Sequence, residues 1–164
     1  MLFLILFLSY LIGSIPFGFL LTKIFLEKDI RKIGSGNIGA TNALRTGNKL
    51  IGYSTLALDI GKAVILLLII KFNFSEYLFA SSIAVFLGHV FPIWLKFKGG
   101  KGVATYVGIL FCINIYLVIV FIVSWLVIFT LTKYSSLASM LSSLFVPITS
   151  YFLLGDNNLS LIHI

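Results

Sequence analysis

The sequence predicts an all-α fold, a polytopic integral membrane helical bundle, on three observations. Of its 164 residues 60% are hydrophobic and only 10% charged, with a mean hydropathy of +1.13. The apolar residues gather into runs near the ~20 residues needed to cross a hydrocarbon core. The basic residues stand between those runs, so the net charge of +7 reads as a topology signal and a supply of anion ligands, with no nucleic acid as partner. No stretch is left over for a soluble domain, so the whole chain, 1–164, is expected to form one transmembrane domain. Cys112, the single cysteine, lies in an apolar run and points to neither a disulfide nor a metal.

The first span, residues 2–21, is interrupted at Gly13-Ser14-Ile15-Pro16, where proline frees a carbonyl that Ser14 or a neighbouring helix must satisfy. It lacks the basic start and cleavage site of a signal peptide and reads as a retained span. Residues 22–49 carry Lys23, Lys28, Arg31, Lys32, Arg45 and Lys49 against Glu27 and Asp29, which places this segment in the cytoplasm and the N-terminus outside. Span two, 50–70, holds Asp59 and Lys62 on one helical face. They read as a structural ion pair locking this helix to its neighbours, or as an anchor behind a loop. After a short external turn, span three runs from 77 to 95 and ends in Gly88-His89-Val90-Phe91-Pro92-Ile93-Trp94. His89 reads as a hydrogen-bonded structural residue or, being close to the next polar loop, as part of a site.

The apolar run 103–131 is 29 residues, too long for one span. A break near Asn114, giving a re-entrant or short half-helix near 103–112 and then a further span, returns Lys133 to the cytoplasm. A sixth span covers 136–154 past Pro147, and Gly155-Asp156-Asn157-Asn158 makes an external turn. No internal repeat or inverted pair of broken helices is visible.

Two polar, glycine-rich loops stand out from this apolar background. In the first, Gly34, Gly36 and Gly39 leave main-chain N–H groups bare, while Ser35, Asn37, Thr41, Asn42 and Arg45 supply donors. The second is Phe97-Lys98-Gly99-Gly100-Lys101-Gly102-Val103-Ala104-Thr105. Each alone is explained by helix-packing glycines and positive-inside lysines. Packing glycines need no escort of asparagine, threonine and arginine, however, and the intervening spans return the chain to the same face, so the two loops predict one phosphate-binding site. Ser35 has neither an adjacent base nor a Gly-x-Ser-x-Gly elbow, and its hydroxyl reads as a phosphate or oxyanion donor. The acidic residues Glu27, Asp29, Asp59, Glu76 and Asp156 are scattered, so no metal and no cofactor is expected.

These segments closely resemble the acyl-phosphate-dependent glycerol-3-phosphate acyltransferases, the PlsY family. The resemblance rests on Gly13-Ser14-Ile15-Pro16, the 34–42 loop with Arg45, Leu58-Asp59 with Lys62, Gly88-His89 with Phe91-Pro92, and the 97–105 loop. It implies seven helices, an external N-terminus, and a multi-pass protein of the bacterial cytoplasmic (inner) membrane with its site facing the cytoplasm. The implied reaction moves a fatty acyl group from acyl phosphate to the 1-hydroxyl of glycerol 3-phosphate, giving lysophosphatidic acid and phosphate, the first step of bacterial phospholipid synthesis. By resemblance Ser35, Arg45 and Lys101 are the catalytic candidates. Gly34, Gly36, Asn37, Thr41, Asn42, His89, Gly99, Gly100, Gly102 and Thr105 are the substrate-binding candidates, with Asp59 and Lys62 as support. The family's third motif, His-x-x-Asn-Ile-Lys/Arg with a glutamate, has no counterpart, and His163-Ile164 does not supply one. Six spans of an expected seven are therefore present, and the chain is expected to be truncated at its C-terminus. The rival function, a small transporter of phosphate or phosphate esters, requires polar residues through the depth of several helices, whereas spans three, five and six are apolar in their middles. Acyl-chain preference and oligomeric state are not encoded legibly.

Overall fold

The computed structural model describes residues 1–154, and its chain forms two compact units, Met1–Ile109 and Leu110–Ile164. The expected external turn at 155–158 and the end of the chain lie outside the described residues.

In the first unit, α1 (Leu2–Gly13) and α2 (Phe17–Leu26) flank the expected break. Pro16 has no N–H to offer and stands at the entry to α2. Ser14 closes α1, its Oγ donating to the Leu11 carbonyl at 2.7 Å. At the break the Ile15 carbonyl accepts from the Phe17 N–H at 3.2 Å and from the Lys62 ammonium at 2.9 Å, so a charged side chain of another helix docks there. The short α3 (Ala40–Leu44) follows the first glycine loop, and the 25-residue α4 (Lys49–Asn73) starts at Asn48, whose Oδ1 caps the Ile51 N–H. α5 (Leu78–Val90) then packs against α1 at glycine contacts: a methyl group on Gly13 would strike the Val85 carbonyl, and one on Gly88 the Tyr10 carbonyl. Span three was expected to run on to 95, but α5 stops at Val90 ahead of Pro92, and Ile93–Leu95 forms a separate 3-10 turn. α6 (Val103–Ile113) leans on α4, with Gly108 against the Ile60 carbonyl.

Ile30, Ile38, Ala43, Ile51 and Leu95 form a buried cluster, flanked by Phe19, Leu21 and Leu26. Burying a large aliphatic side chain contributes about 1.5–3 kcal/mol, so this cluster is a strong local tie. Ile38 and Ala43 belong to the first loop and its helix, while Leu95 directly precedes the second, so both loops are anchored on one core.

The second unit contains α7 (Ile115–Thr132) and α8 (Ser135–Leu154). The break expected near Asn114 is present: Asn114 Oδ1 accepts the Tyr116 N–H at 2.9 Å and starts α7, so the half-helix and the following span are distinct elements. Trp125 stacks on Phe129 and donates its indole N–H to Ser139 Oγ at 3.1 Å, tying α7 to α8. Among the described residues three stretches are long and apolar enough to cross a membrane: Leu2–Leu26, Ser75–Leu95 and Ile115–Thr132. Outward residues such as Phe3 (87% exposed), Phe79 (73%) and Ile65 (64%) would be costly in water, which marks these faces as lipid-contacting.

Candidate active site

Gly34 and Gly36 adopt left-handed backbone, with φ of +51° and +71°, and the Gly36 N–H, expected to be bare, donates to the Ile33 carbonyl at 2.9 Å because the loop turns tightly on itself. The hub of this loop is Asn42. Its Nδ2 reaches the carbonyls of Ile30 (3.1 Å), Ile33 (2.9 Å) and Asn37 (2.8 Å), and its Oδ1 accepts from the Ser35 N–H at 3.0 Å. The amide expected to bind phosphate is thus already saturated and buried. It sets the shape of the loop instead. Asn37 Oδ1 accepts from Gly39 N–H at 2.8 Å, which leads the chain into α3. Ser35 and Thr41 are exposed.

The two arginines are in opposite situations. Arg31 pairs with Asp29 at 2.7 Å and lies 4.9 Å from the centre of the Phe19 ring, so its charge is spent locally. The Arg31 side chain, through its hydrogen bonds, holds Asp29 at a pKa of about 2. Arg45, at the end of α3, is exposed and folds its side chain beside Gly34. Among the described residues no carboxylate lies within ion-pair distance of it, which leaves its fork of donors open to an anion.

The second loop sits on the end of α5. Gly99 N–H donates to the Val90 carbonyl and Gly100 N–H to the His89 carbonyl, both at 3.1 Å. Gly100 lies so close to the His89 ring that a methyl group there would collide with Nε2. Gly102 packs on the Phe86 ring at a φ of +81°. Between these seated glycines Lys101 projects into the open, exposed. Thr105, in the first turn of α6, is fully buried with its hydroxyl unpaired.

His89 is only 4% exposed, so it lies beneath the loop rather than open to solvent as a substrate contact. It joins Asp59 and Lys62 in one buried cluster: Lys62 Nζ is 2.8 Å from Asp59 Oδ1 and 2.9 Å from His89 Nδ1. Both readings of the Asp59–Lys62 pair therefore apply, because it locks α4 to the α1–α2 break and underpins a loop. The third partner, the Ile15 carbonyl, was missed from sequence, although Pro16 signalled that a carbonyl nearby needed a donor. Also missed were Tyr10, whose hydroxyl donates to the Phe91 carbonyl at 2.7 Å, and Trp94, whose indole N–H donates to Ser14 Oγ at 2.8 Å. These bonds tie α1 to the stem of the second loop. Among the described residues no three His, Cys, Asp or Glu side chains converge as a metal site would require.

The family model described as glycerol-3-phosphate acyltransferase matches residues 3–164. The chain is 69% identical over 149 residues to the glycerol-3-phosphate acyltransferase of Pelagibacter ubique (strain HTCC1062), covering 91% of this chain and 77% of that one. To the same enzyme of Bartonella henselae it is 51% identical over 156 residues, covering 91% and 73%. Among solved structures it resembles PlsY (YgiH), an integral membrane glycerol 3-phosphate acyltransferase. The glycerol 3-phosphate form gives a TM-score of 0.88 at 34% identity over 98% of this chain and 82% of that one. The lysophosphatidic acid form gives 0.85 at the same identity, with 98% and 81% covered. Fold and relatives together define the class, an integral membrane acyltransferase. The chain belongs to the glycerol-3-phosphate acyltransferase family.

Proposed function

We propose that the chain, acting as a single catalytic domain, transfers a fatty acyl group from acyl phosphate to the 1-hydroxyl of glycerol 3-phosphate. The products are lysophosphatidic acid and inorganic phosphate. The reading places the protein in the bacterial inner membrane with the N-terminus outside and the two loops facing the cytoplasm, as the basic residues of 22–49 and 96–101 favour. The observation that supports it is the shared core under both loops, together with the exposure of Arg45 and Lys101, which have no carboxylate at ion-pair distance among the described residues.

An acyl phosphate is a mixed anhydride and already activated, so no covalent enzyme nucleophile is needed. The glycerol hydroxyl oxygen attacks the acyl carbonyl, the bond from carbonyl carbon to phosphate oxygen breaks, and the hydroxyl proton leaves with the phosphate. The enzyme's task is to hold two phosphates and stabilise charge. Arg45 suits bidentate phosphate recognition, Lys101 acts as a point charge, and the Ser35 hydroxyl donates to a phosphate or to the developing oxyanion. The test is a purified chain in detergent supplied with glycerol 3-phosphate and either acyl phosphate or acyl-CoA. Lysophosphatidic acid should form from acyl phosphate alone; efficient use of acyl-CoA would refute the choice of donor.

A further inference from the structure

Lys62 is buried in α4, and its Nζ lies within hydrogen-bond distance of three groups: the Ile15 carbonyl at 2.9 Å, Asp59 Oδ1 at 2.8 Å and His89 Nδ1 at 2.9 Å. An ammonium has three N–H donors and no acceptor, so three acceptors satisfy it completely. With two N–H groups donating to the Ile15 carbonyl and Asp59, the ammonium has its third for His89 Nδ1, which also lies 3.6 Å from Asp59 Oδ1. Nδ1 of His89 is then an acceptor and carries no proton. That leaves the ring proton to Nε2, the atom that faces Gly100.

We propose that Lys62 is a positioning residue for acyl transfer: its ammonium, clamped between the Ile15 carbonyl, Asp59 and His89, locks His89 as the neutral Nε2–H tautomer that seats Gly100 and so places Lys101. The proposal rests on the reading of the second loop as a substrate-binding element. The clamp joins three parts that sequence separates, namely the proline break, the middle of α4 and the end of α5. The loop rests on the last of these twice, through the Gly100 N–H on the His89 carbonyl and through the Gly100 α-carbon on the ring. A ring that rotates or changes tautomer moves the backbone on either side of Lys101. A displacement of this kind, remote from the reacting atoms, can cost about 100-fold in rate.

The test uses the full chain in detergent micelles with 15N-labelled histidine. The sequence has two histidines, and the signal of His163 is identified with His163→Gln. In the wild type at pH 7, His89 should show a protonated Nε2 and an unprotonated, hydrogen-bonded Nδ1. A ring protonated on Nδ1, or on both nitrogens, overturns the lock whether or not any variant folds. Lys62→Met keeps the chain length and removes the donors. It should give His89 a mixture of tautomers and lower kcat/KM for glycerol 3-phosphate by about 100-fold, mostly through KM. A folded Lys62→Met protein with unchanged KM overturns the positioning role. Acyl transfer by the wild type checks the reading of the site separately, because its absence counts against that reading while the spectrum alone decides the tautomer.

Discussion

Arg31 and Arg45 are 14 positions apart in one basic segment, and only their surroundings distinguish them. Arg31 is neutralised by Asp29 and lies over Phe19, whereas Arg45 is exposed with no carboxylate at ion-pair distance among the described residues. Arg45→Ala should therefore lower kcat/KM by about 100-fold or more while the melting temperature in detergent stays within a few degrees. Arg31→Ala should leave kcat/KM within a few-fold of wild type, and the two assays side by side check the assignment. Asp29 has its own pH signature. Its pKa falls from 3.8 to about 2 in the folded protein, so the stability it adds is fully present above pH 3.8 and is lost as the pH falls towards 2. The pair is exposed and contributes little, so the difference in melting temperature between wild type and Asp29→Asn should be small at pH 7 and vanish near pH 2.

At the scale of elements, each glycine loop is held by a different device, and each device predicts a different loss. The first loop hangs on Asn42. Asn42→Ala removes the amide that ties the Ile30, Ile33 and Asn37 carbonyls together and strands the Ser35 N–H, at a cost of about 2 kcal/mol or more, and should lower both the melting temperature and the activity. The second loop is seated by contact, and Gly100→Ala drives a methyl group into the His89 ring. That variant should insert normally yet lose about 100-fold in kcat/KM, because the loop has to lift from its seat. Membrane-fraction yield and lysophosphatidic acid formation, measured together, separate the two outcomes. The proline break in α1–α2 belongs at this scale too: Lys62 reaches the Ile15 carbonyl beside Pro16, so the neighbouring helix expected to serve the break is α4, which docks there.

At the scale of the whole molecule, the scattering of five acidic residues along the chain predicts that EDTA leaves acyl transfer unchanged, and chelator-sensitive turnover would contradict it. The sequence by itself determined the helical membrane class, the break at Gly13–Pro16, the second break at Asn114 and the two polar loops. Each of these is a local signal, written in hydrophobic run length, in the missing N–H of proline, in the capping chemistry of asparagine or in clustered glycines. Tertiary structure alone decided which polar groups are available. Asn42 looked like a donor for phosphate and is spent on its own loop, because its partners at Ile30, Ile33 and Asn37 come within reach only when the chain folds back. His89 read either as a hydrogen-bonded structural residue or as part of a site and is buried under Gly100, and Lys62 looked like half of a pair but has three partners. Hydrogen-bond capacity is a property of a residue, whereas its saturation depends on carbonyls and ring nitrogens brought in from 27 and 47 positions away.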